Sequence, residues 1–266
     1  MPTSSDIAVP LKQRAIHGQQ PSGHISEKRI HALLSIIDRE LPRDSRILDF
    51  GCGSGRTTYT LLDLGYTNVF GFDVQDYLDL RAPEDRARFQ IASRTDISLP
   101  YDDNTFDLIF SDQVFEHVKD QVTIFRELHR VTKPGGVHLH VIPAPYYPIE
   151  RHIRVPLGNL IVQRWWHKLW ALLGIRNQYQ KGLTADETAD RNIFYINEKL
   201  NYIPSSGYKV IWRKLGFDYR FVDQEFFDTH WRPKIRAIGK FNRVIPVVGW
   251  LKRILSTRHV LLTKQA

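Results

Sequence analysis

The most informative residues of the sequence form a glycine-rich turn that follows a short apolar strand. Residues 47–55 read ILDFGCGSG, and a helix is predicted to begin near Arg56. Glycines in such a turn let a ligand approach the backbone, and the N–H groups at the start of a helix favour electron-rich groups. A dinucleotide-binding fingerprint needs another glycine three residues after the second, where this chain has Arg56. The turn therefore predicts a nucleoside ligand without a pyrophosphate.

An acidic residue ends the next predicted strand, at Asp73 in the sequence GFDV of residues 71–74. Its carboxylate has the reach and the charge to accept hydrogen bonds from both hydroxyls of a ribose. The alternative is a tight turn followed by a surface aspartate that binds nothing. The combination of strand, glycine turn, helix start and acid favours the nucleoside site.

The elements that would hold these residues alternate along the chain. Helical periodicity predicts one helix over residues 26–41, with Ser26 as its N-cap and Pro42 after its end, and another over residues 118–131. Apolar runs predict strands at residues 47–50, 69–72, 89–92, 106–110, 137–142, 219–222 and 259–263. Strands that alternate with helices imply an α/β fold with a parallel sheet covered on both faces.

Four ordered motifs resemble class I S-adenosylmethionine-dependent methyltransferases, specifically the type-11, ubiquinone-biosynthesis-like domain. They are LDFGCGSG at 48–55, GFDV at 71–74, TDISLPYDDNTFDLIFSDQVFEHV at 95–118 and ELHRVTKPGG at 127–136. The resemblance covers about residues 26–145. It implies a doubly wound, Rossmann-like, seven-stranded and mostly parallel sheet, and a methyltransferase whose cofactor is S-adenosylmethionine (SAM).

The resemblance also assigns contacts with the cofactor to individual residues. The methionine part is expected beside Asp49, Gly51, Gly53 and Gly55; the ribose beside Asp73 and Val74; the adenine between Asp96 and Ile97; and the sulfonium end beside Ser111. The residue types fit these roles. A carboxylate at position 49 suits an ammonium, one at position 96 suits the exocyclic amine of adenine, and an isoleucine offers apolar contact to the ring.

Methyl transfer from sulfur needs the two partners held in line, with a base added when the nucleophile is a hydroxyl. Two histidines are candidates for that base. His117 follows the fourth strand, and the alternative is that it only frames the next helix. His152 follows the fifth strand, where Glu150 could orient its imidazole. His138 and His140 alternate on a strand and are expected to be structural.

We expect no required metal. Some relatives that methylate catechols or RNA ends hold a divalent cation with a Glu-x-x-Glu-His cluster at this point. The present chain reads QVFEH at residues 113–117, so Gln113 replaces the first carboxylate and removes a charge that a hard cation needs.

The formal net charge of +8 is concentrated in two late segments. Residues 151–181 and 231–258 contain 14 Lys and Arg residues, no Asp or Glu, and five of the six tryptophans. One apolar helical stripe over residues 158–173 predicts a lid packed over the active-site end of the sheet, with the cations as its solvated rim. Trp, Arg and Lys together also suit an anionic membrane surface, which we expect both segments to share.

These patterns divide the 266 residues into six parts. They are a flexible arm (1–25), the SAM-binding core (26–145), a helical lid (146–194), a return to the core sheet (195–230), a basic amphipathic insertion (231–257) and a terminal strand (258–266). Neither a signal peptide nor a membrane-spanning run is expected, and the single cysteine excludes an internal disulfide. The predicted location is cytoplasmic and peripheral at the inner membrane face. No pattern indicates an oligomeric state.

The predicted acceptor is a small molecule: a hydroxyl of a glycan, of a lipid-linked sugar or of an isoprenoid-type lipid. The sequence does not name the acceptor atom, so nitrogen and carbon remain alternatives to oxygen. An RNA or DNA methyltransferase is the first alternative, because cations with aromatics also describe a single-strand binding face. No nucleic-acid partner is expected, since no recognised nucleic-acid module and no Asn/Asp-Pro-Pro-Tyr/Phe tetrapeptide is present. The second alternative is a SAM-binding partner protein without catalysis.

Overall fold

The computed structural model describes residues 23–37, 40–93 and 98–265, and they form one seven-stranded sheet with helices on both faces. The strand order is β3-β2-β1-β4-β5-β7-β6. All pairs are parallel except those of β7, which runs antiparallel to both neighbours. The predicted seven-stranded, mostly parallel sheet is confirmed.

The bounds of the strands follow the predicted apolar runs closely. The strands are β1 (Arg46–Phe50), β2 (Asn68–Asp73), β3 (Phe89–Ile91), β4 (Phe106–Asp112), β5 (Thr132–Pro143), β6 (Phe217–Phe221) and β7 (Thr257–Lys264). The helices are α1 (Gly23–Leu34), α2 (Arg56–Asp63), α3 (Gln121–Val131), α4 (Arg164–Leu172), α5 (Ala185–Lys199), α6 (Ser205–Lys214), α7 (Asp223–Thr229), α8 (Pro233–Val244) and α9 (Val247–Leu255).

Three helices are shorter than their periodicity predicts. α1 ends at Leu34 rather than at residue 41, because the N–H groups of Ile36 and Ile37 bond three residues back and tighten the last turn. α3 begins at Gln121, where the side chain of Asp120 caps the helix by accepting from the N–H of Thr123. The helix predicted over residues 158–173 spans Arg164–Leu172 only.

The sheet places the predicted site where its strand order reverses. β1 lies between β2 and β4, so the chain leaves β1 and β4 toward opposite sides of the sheet. Ligands of doubly wound folds bind at such a reversal, beyond the carboxyl ends of the strands. The glycine turn follows β1, Asp73 ends β2, and His117 lies in the loop after β4.

A polar chain runs through the core between β4 and β5. The Ser111 hydroxyl lies 2.7 Å from His140 Nδ1, His140 Nε2 lies 3.2 Å from His138 Nδ1, and His138 Nε2 lies 2.7 Å from the Thr132 hydroxyl. Thr132 donates to the carbonyl of Leu128. Each donor therefore has an acceptor when both imidazoles are neutral, and burial lowers the pKa of His140 to about 3. The expectation that these two histidines are structural is confirmed.

The two basic segments fold as helices that are inserted between the last three strands of the chain. α4 and α5 lie between β5 and β6, and α7, α8 and α9 lie between β6 and β7. Trp166 and Trp170 of α4 pack into a cluster with α5, whereas Trp165 and Leu172 are more than half exposed, at 61% and 67%. Among the described residues, no helix combines the length and the apolar character needed to cross a membrane.

Candidate functional site

The glycine turn after β1 adopts backbone conformations that glycine tolerates best. Gly51, Gly53 and Gly55 have φ angles of 77°, 53° and 82°, in the left-handed region. A Cβ added at Gly51 would collide with Val114, but one added at Gly53 would meet no atom within 4 Å. The turn is therefore packed on one side and leaves open space over Gly53, as a loop that admits a ligand to its backbone must. This fits the cofactor that the motif predicts.

Asp73 joins the end of β2 to the glycine turn. Its Oδ2 accepts from the N–H of Gly53 at 2.8 Å, and its Oδ1 accepts from the N–H groups of Val74 and Gln75 at 2.7 and 3.1 Å. The carboxylate is half-buried. It therefore sets the position of the turn and still reaches the surface where a ribose would lie, while Val74 beside it is exposed.

Asp49 lies under the turn and is 3% exposed. Its Oδ2 accepts from the N–H and the hydroxyl of Thr58, at 3.0 and 2.8 Å, in the first turn of α2. Burial raises the pKa of Asp49 to about 7, against the opposing effect of the Thr58 hydrogen bonds. A nearby cation would favour its ionised form, so the predicted contact with an ammonium is chemically consistent.

Two predicted adenine contacts, Asp96 and Ile97, lie outside the described residues. Ser111, predicted to lie by the sulfonium end, has a fully buried side chain whose hydroxyl bonds to His140 in the core. The residue alternation of β4 turns this side chain to the interior of the sheet. Any contact of Ser111 with the sulfonium end would involve its backbone.

The two candidate bases lie next to each other in the loops after β4 and β5. The imidazole rings of His117 and His152 lie 5.0 Å apart, nearly perpendicular at 81°. Nδ1 of His117 lies 3.0 Å from the carbonyl oxygen of Lys199, the last residue of α5. Tyr195 of the same helix contacts the His152 ring at 5.3 Å. Helix α5 therefore contacts both histidines, although they come from different loops.

Glu150 orients His152, as predicted. Its Oε1 lies 2.8 Å from His152 Nδ1, and its Oε2 accepts from the N–H groups of His152 and Ile153. Tyr202 donates to the same carboxylate at 2.9 Å. Burial alone would raise the pKa of Glu150, but these hydrogen bonds and the His152 imidazole hold it below its ordinary value. The side chain is an ionised, buried anchor.

Sequence reasoning missed Glu116 as part of this cluster. Its side chain is buried, and burial raises its pKa to about 7. Within the described residues, its Oε2 has no hydrogen-bond partner. Glu116, His117 and His152 each have one potential ligand atom, and these three atoms lie within 4.8 Å of one another. The sequence did contain a signal for this cluster, because an acid and a histidine are adjacent after the fourth strand.

The cations of α4 are less available to a surface than their count predicts. Arg164 pairs with both Asp186 and Asp190 of α5 at 2.6 Å, and Lys168 pairs with Asp186 at 2.8 Å. The absence of acids within residues 151–181 is therefore offset by acids that the fold brings to this helix.

Arg258, counted with the second basic segment, is 1% exposed. It donates to the carbonyls of Ile203 and Pro143 at 2.6 and 2.5 Å, and lies 4.8 Å over the ring of Tyr208. Arg258 therefore joins β5 to the loop before α6 and contributes nothing to a membrane-facing surface.

Residues 48–140 match the family model described as "Methyltransferase domain". A 2-methyl-6-phytyl-1,4-hydroquinone methyltransferase from Synechocystis sp. is 34% identical over 103 residues, which are 36% of this chain and 31% of that protein. Sterol 24-C-methyltransferase erg6 from Schizosaccharomyces pombe is 30% identical over 99 residues, 35% of this chain and 26% of that protein. The matched part thus spans about a third or less of these relatives.

The fold is shared with a SAM-dependent methyltransferase from Mesorhizobium loti, with a TM-score of 0.54 at 17% identity. The alignment covers 89% of this chain and 98% of that one. The strand order, the glycine turn with Asp73 and the family match agree with one another. Residues 48–140 therefore resemble the methyltransferase-domain family, and the sheet that contains them has the same fold as the Mesorhizobium loti enzyme.

Proposed function

We propose that the protein transfers a methyl group from SAM to a hydroxyl group of a lipid-type acceptor. This acceptor is either an isoprenoid-type lipid or a lipid-linked sugar. The acceptor hydroxyl loses its proton and its oxygen forms a bond to the methyl carbon. The carbon–sulfur bond breaks in the same displacement, and S-adenosylhomocysteine (SAH) leaves as a neutral thioether.

The observation that carries this proposal is the pairing of two half-sites at one edge of the sheet. The donor half is the glycine turn that Asp73 holds through Gly53. The acceptor half is the His117–His152 pair after β4 and β5, and both imidazoles are partly exposed, at 39% and 26% of their side-chain surface. Partly exposed histidines beside a methyl-donor site can bind an acceptor hydroxyl and take its proton. His117 and His152 are both proposed for this role.

Some of the relatives support an apolar, lipid-type acceptor, whereas others are named phosphoethanolamine N-methyltransferases. The sterol relatives are named C-methyltransferases, so the choice of a hydroxyl rests on the histidine pair and not on the relatives. By their names, one acts on a phytyl-bearing hydroquinone and others act on sterols. A phytyl chain is an isoprenoid, and sterols are apolar ring systems, so both acceptors are apolar molecules with a small polar end. The histidine pair would face the hydroxyl of such a molecule.

The proposed transfer is tested with labelled SAM and fractionated membrane lipids and glycans. We expect label in an organic-solvent-soluble fraction, with SAH formed in equal amount. A His152→Ala variant should lose at least about 100-fold in rate, since a positioned base contributes that much. Label in nucleic acid only, or calorimetry without heat for SAH, would contradict the proposal.

We further propose that α8 and α9 contact an anionic membrane surface from the cytoplasmic side. Apolar side chains of this pair are exposed, including Phe241 at 54%, Val244 at 79% and Trp250 at 53%. Exposed cations accompany them: Arg232, Lys234, Arg236, Lys240 and Arg243. Apolar side chains with cations on one helical element favour the interface of an anionic bilayer.

The membrane contact is tested by sedimentation with vesicles of phosphatidylcholine, with and without phosphatidylglycerol. We expect pelleting that depends on the anionic lipid, since each cation near such a surface contributes about 1 kcal/mol. A Val244→Asp/Trp250→Asp variant should bind at least about tenfold more weakly, because it buries charge in place of apolar surface. Leu172→Asp on α4 is the matched control. No pelleting with either vesicle would end the proposal.

A further inference from the structure

One buried carboxylate oxygen at the acceptor end has no partner in the described part of the chain. Glu116 is 2% exposed, and its Oε2 accepts no hydrogen bond there. A buried acceptor without a donor costs about 1–3 kcal/mol, and more when it is charged. Since Glu116 lies at the edge of the proposed site, this oxygen is placed to receive a group that residues 23–37, 40–93 and 98–265 do not supply.

The hydrogen bonds of the two neighbouring histidines determine which ring nitrogen can act as a ligand. A carbonyl oxygen only accepts, so His117 Nδ1, at 3.0 Å from the Lys199 carbonyl, carries the proton. Glu150 accepts from the N–H groups of His152 and Ile153 and from the Tyr202 hydroxyl, so it also acts as the acceptor in its 2.8 Å contact with Nδ1 of His152, which carries the proton. In each neutral imidazole the lone pair is therefore on Nε2. Histidine ligands of metals are oriented in this way, by a carboxylate or carbonyl on the other ring nitrogen.

We infer that Glu116, His117 and His152 form a site for a divalent transition-metal cation, with Zn²⁺ as the best match. One ligand atom from each residue lies within 4.8 Å of the other two, and Nε2 of His117 is 3.9 Å from Glu116 Oε1. Ligands of bound Zn²⁺ lie at about 2.0–2.2 Å from the ion, so the three side chains would close toward it by about 1 Å. Two imidazoles and one carboxylate are a known zinc-binding combination that leaves a fourth position open.

The donor set also explains why Zn²⁺ is not excluded by Gln113, which stands where some relatives have a glutamate. A hard cation such as Mg²⁺ needs several carboxylate or carbonyl oxygens, which Gln113 in place of a glutamate disfavours. Imidazole nitrogens favour Zn²⁺ and its neighbours in the first transition row. The structure supplies the third ligand, His152, from a loop 35 residues further along the chain than His117.

The consequence for catalysis rests on the proposed function. An acceptor hydroxyl in the open position would have its pKa lowered by the cation, and its proton would leave to solvent before the oxygen attacks the methyl carbon. Loading of the ion would therefore replace direct proton transfer to His117 or His152, while the bonds formed and broken at the methyl carbon stay the same. Ion binding itself does not depend on methyl transfer and can be measured alone.

The experiment uses the full chain without a histidine tag, dialysed free of metal, and titrates it with Zn²⁺ by calorimetry and with Co²⁺ by visible absorption. We expect one equivalent of each ion and ligand-field bands for Co²⁺. His117→Ala and His152→Ala should each weaken binding by at least about 100-fold. Glu150→Gln, which weakens the hydrogen bond that orients His152, should weaken binding by about 10–100-fold. His31→Ala, at an exposed histidine of α1, is the matched control and should bind normally.

Circular dichroism and SAH binding are measured on every variant, so that loss of the ion is distinguished from loss of the fold or of the donor site. Metal-free protein that binds SAH but takes up no Zn²⁺ would overturn the metal site and leave the proposed function intact. Zn²⁺ binding that survives both histidine substitutions would also overturn it. Failure to bind SAH, with one Zn²⁺ bound, would overturn the proposed function instead.

Discussion

Replacing Asp73 with alanine is expected to raise the Kd for SAH by at least about 100-fold. The carboxylate is predicted to accept two hydrogen bonds from the ribose, and hydrogen bonds to a charged group contribute about 1.5–3 kcal/mol each. The same side chain holds the N–H of Gly53 at 2.8 Å, so its removal also loosens the turn that would contact the methionine part. Both effects act in the same direction. Isothermal titration calorimetry with SAH measures the change.

Asp76→Ala is the matched control for this prediction. Asp76 is an exposed acid three residues further on, whose Oδ1 accepts only a long bond of 3.3 Å from the N–H of Leu78. It carries the same charge and should bind SAH with unchanged affinity. If Asp73→Ala folds and binds SAH as tightly as the Asp76 variant, the ribose is held elsewhere and the assignment of the donor half is wrong.

The donor half of the site could be predicted because its geometry is local. The turn, the strand before it and the helix after it are contiguous, and the glycines are required by the φ angles of that single turn. Asp73 is 20 residues away from Gly53, yet it ends the strand that pairs with β1 in register. A parallel sheet places the carboxyl ends of neighbouring strands together, so the alternation of strands and helices was enough to predict that Asp73 lies beside the turn, although not that it accepts from the N–H of Gly53.

The acceptor half could be predicted only in part. The order of strands indicates that His117 and His152 follow β4 and β5, which are neighbours. It does not indicate that the carbonyl of Lys199, 82 residues after His117, orients that imidazole. Side-chain direction was the second obstacle. The sequence places Ser111 on β4 and near the sulfonium end, but it does not indicate that the hydroxyl of Ser111 bonds to His140 in the core.

The basic insertions show why charge counts along the chain are weak evidence for a surface. The first segment has no acid of its own, but α5 supplies Asp186 and Asp190 to its cations. Arg258 of the second segment is buried against Tyr208. On α8 and α9, some of the cations remain exposed, and exposed apolar side chains lie on the same two helices. This is why the membrane proposal rests on that pair of helices and not on the total charge.

Binding of SAH is expected to strengthen by about tenfold as the pH rises from 5.5 to 7, because of Asp49. Burial raises the pKa of this carboxyl to about 7 in the ligand-free protein. The ammonium of SAH keeps its proton throughout this pH range and favours the ionised carboxylate. Below pH 7 the protein must therefore release a proton to bind, and the affinity falls as the pH is lowered. Calorimetry in two buffers of different ionisation enthalpy measures both the affinity and the proton release.

Asp49→Asn separates this effect from the titration of other groups. An asparagine oxygen can still accept from the N–H and hydroxyl of Thr58, so the start of α2 is retained. The variant should bind SAH more weakly at pH 7, with no proton release and a nearly flat dependence between pH 5.5 and 7. At pH 8 the melting temperature of Asp49→Asn should be higher than that of the unsubstituted protein. Folding raises the pKa of Asp49 from 3.8 to about 7, so the ionised carboxylate, which predominates at pH 8, destabilises the folded state. An unchanged pH dependence of SAH binding in Asp49→Asn would show that another group controls it and that the ammonium lies elsewhere.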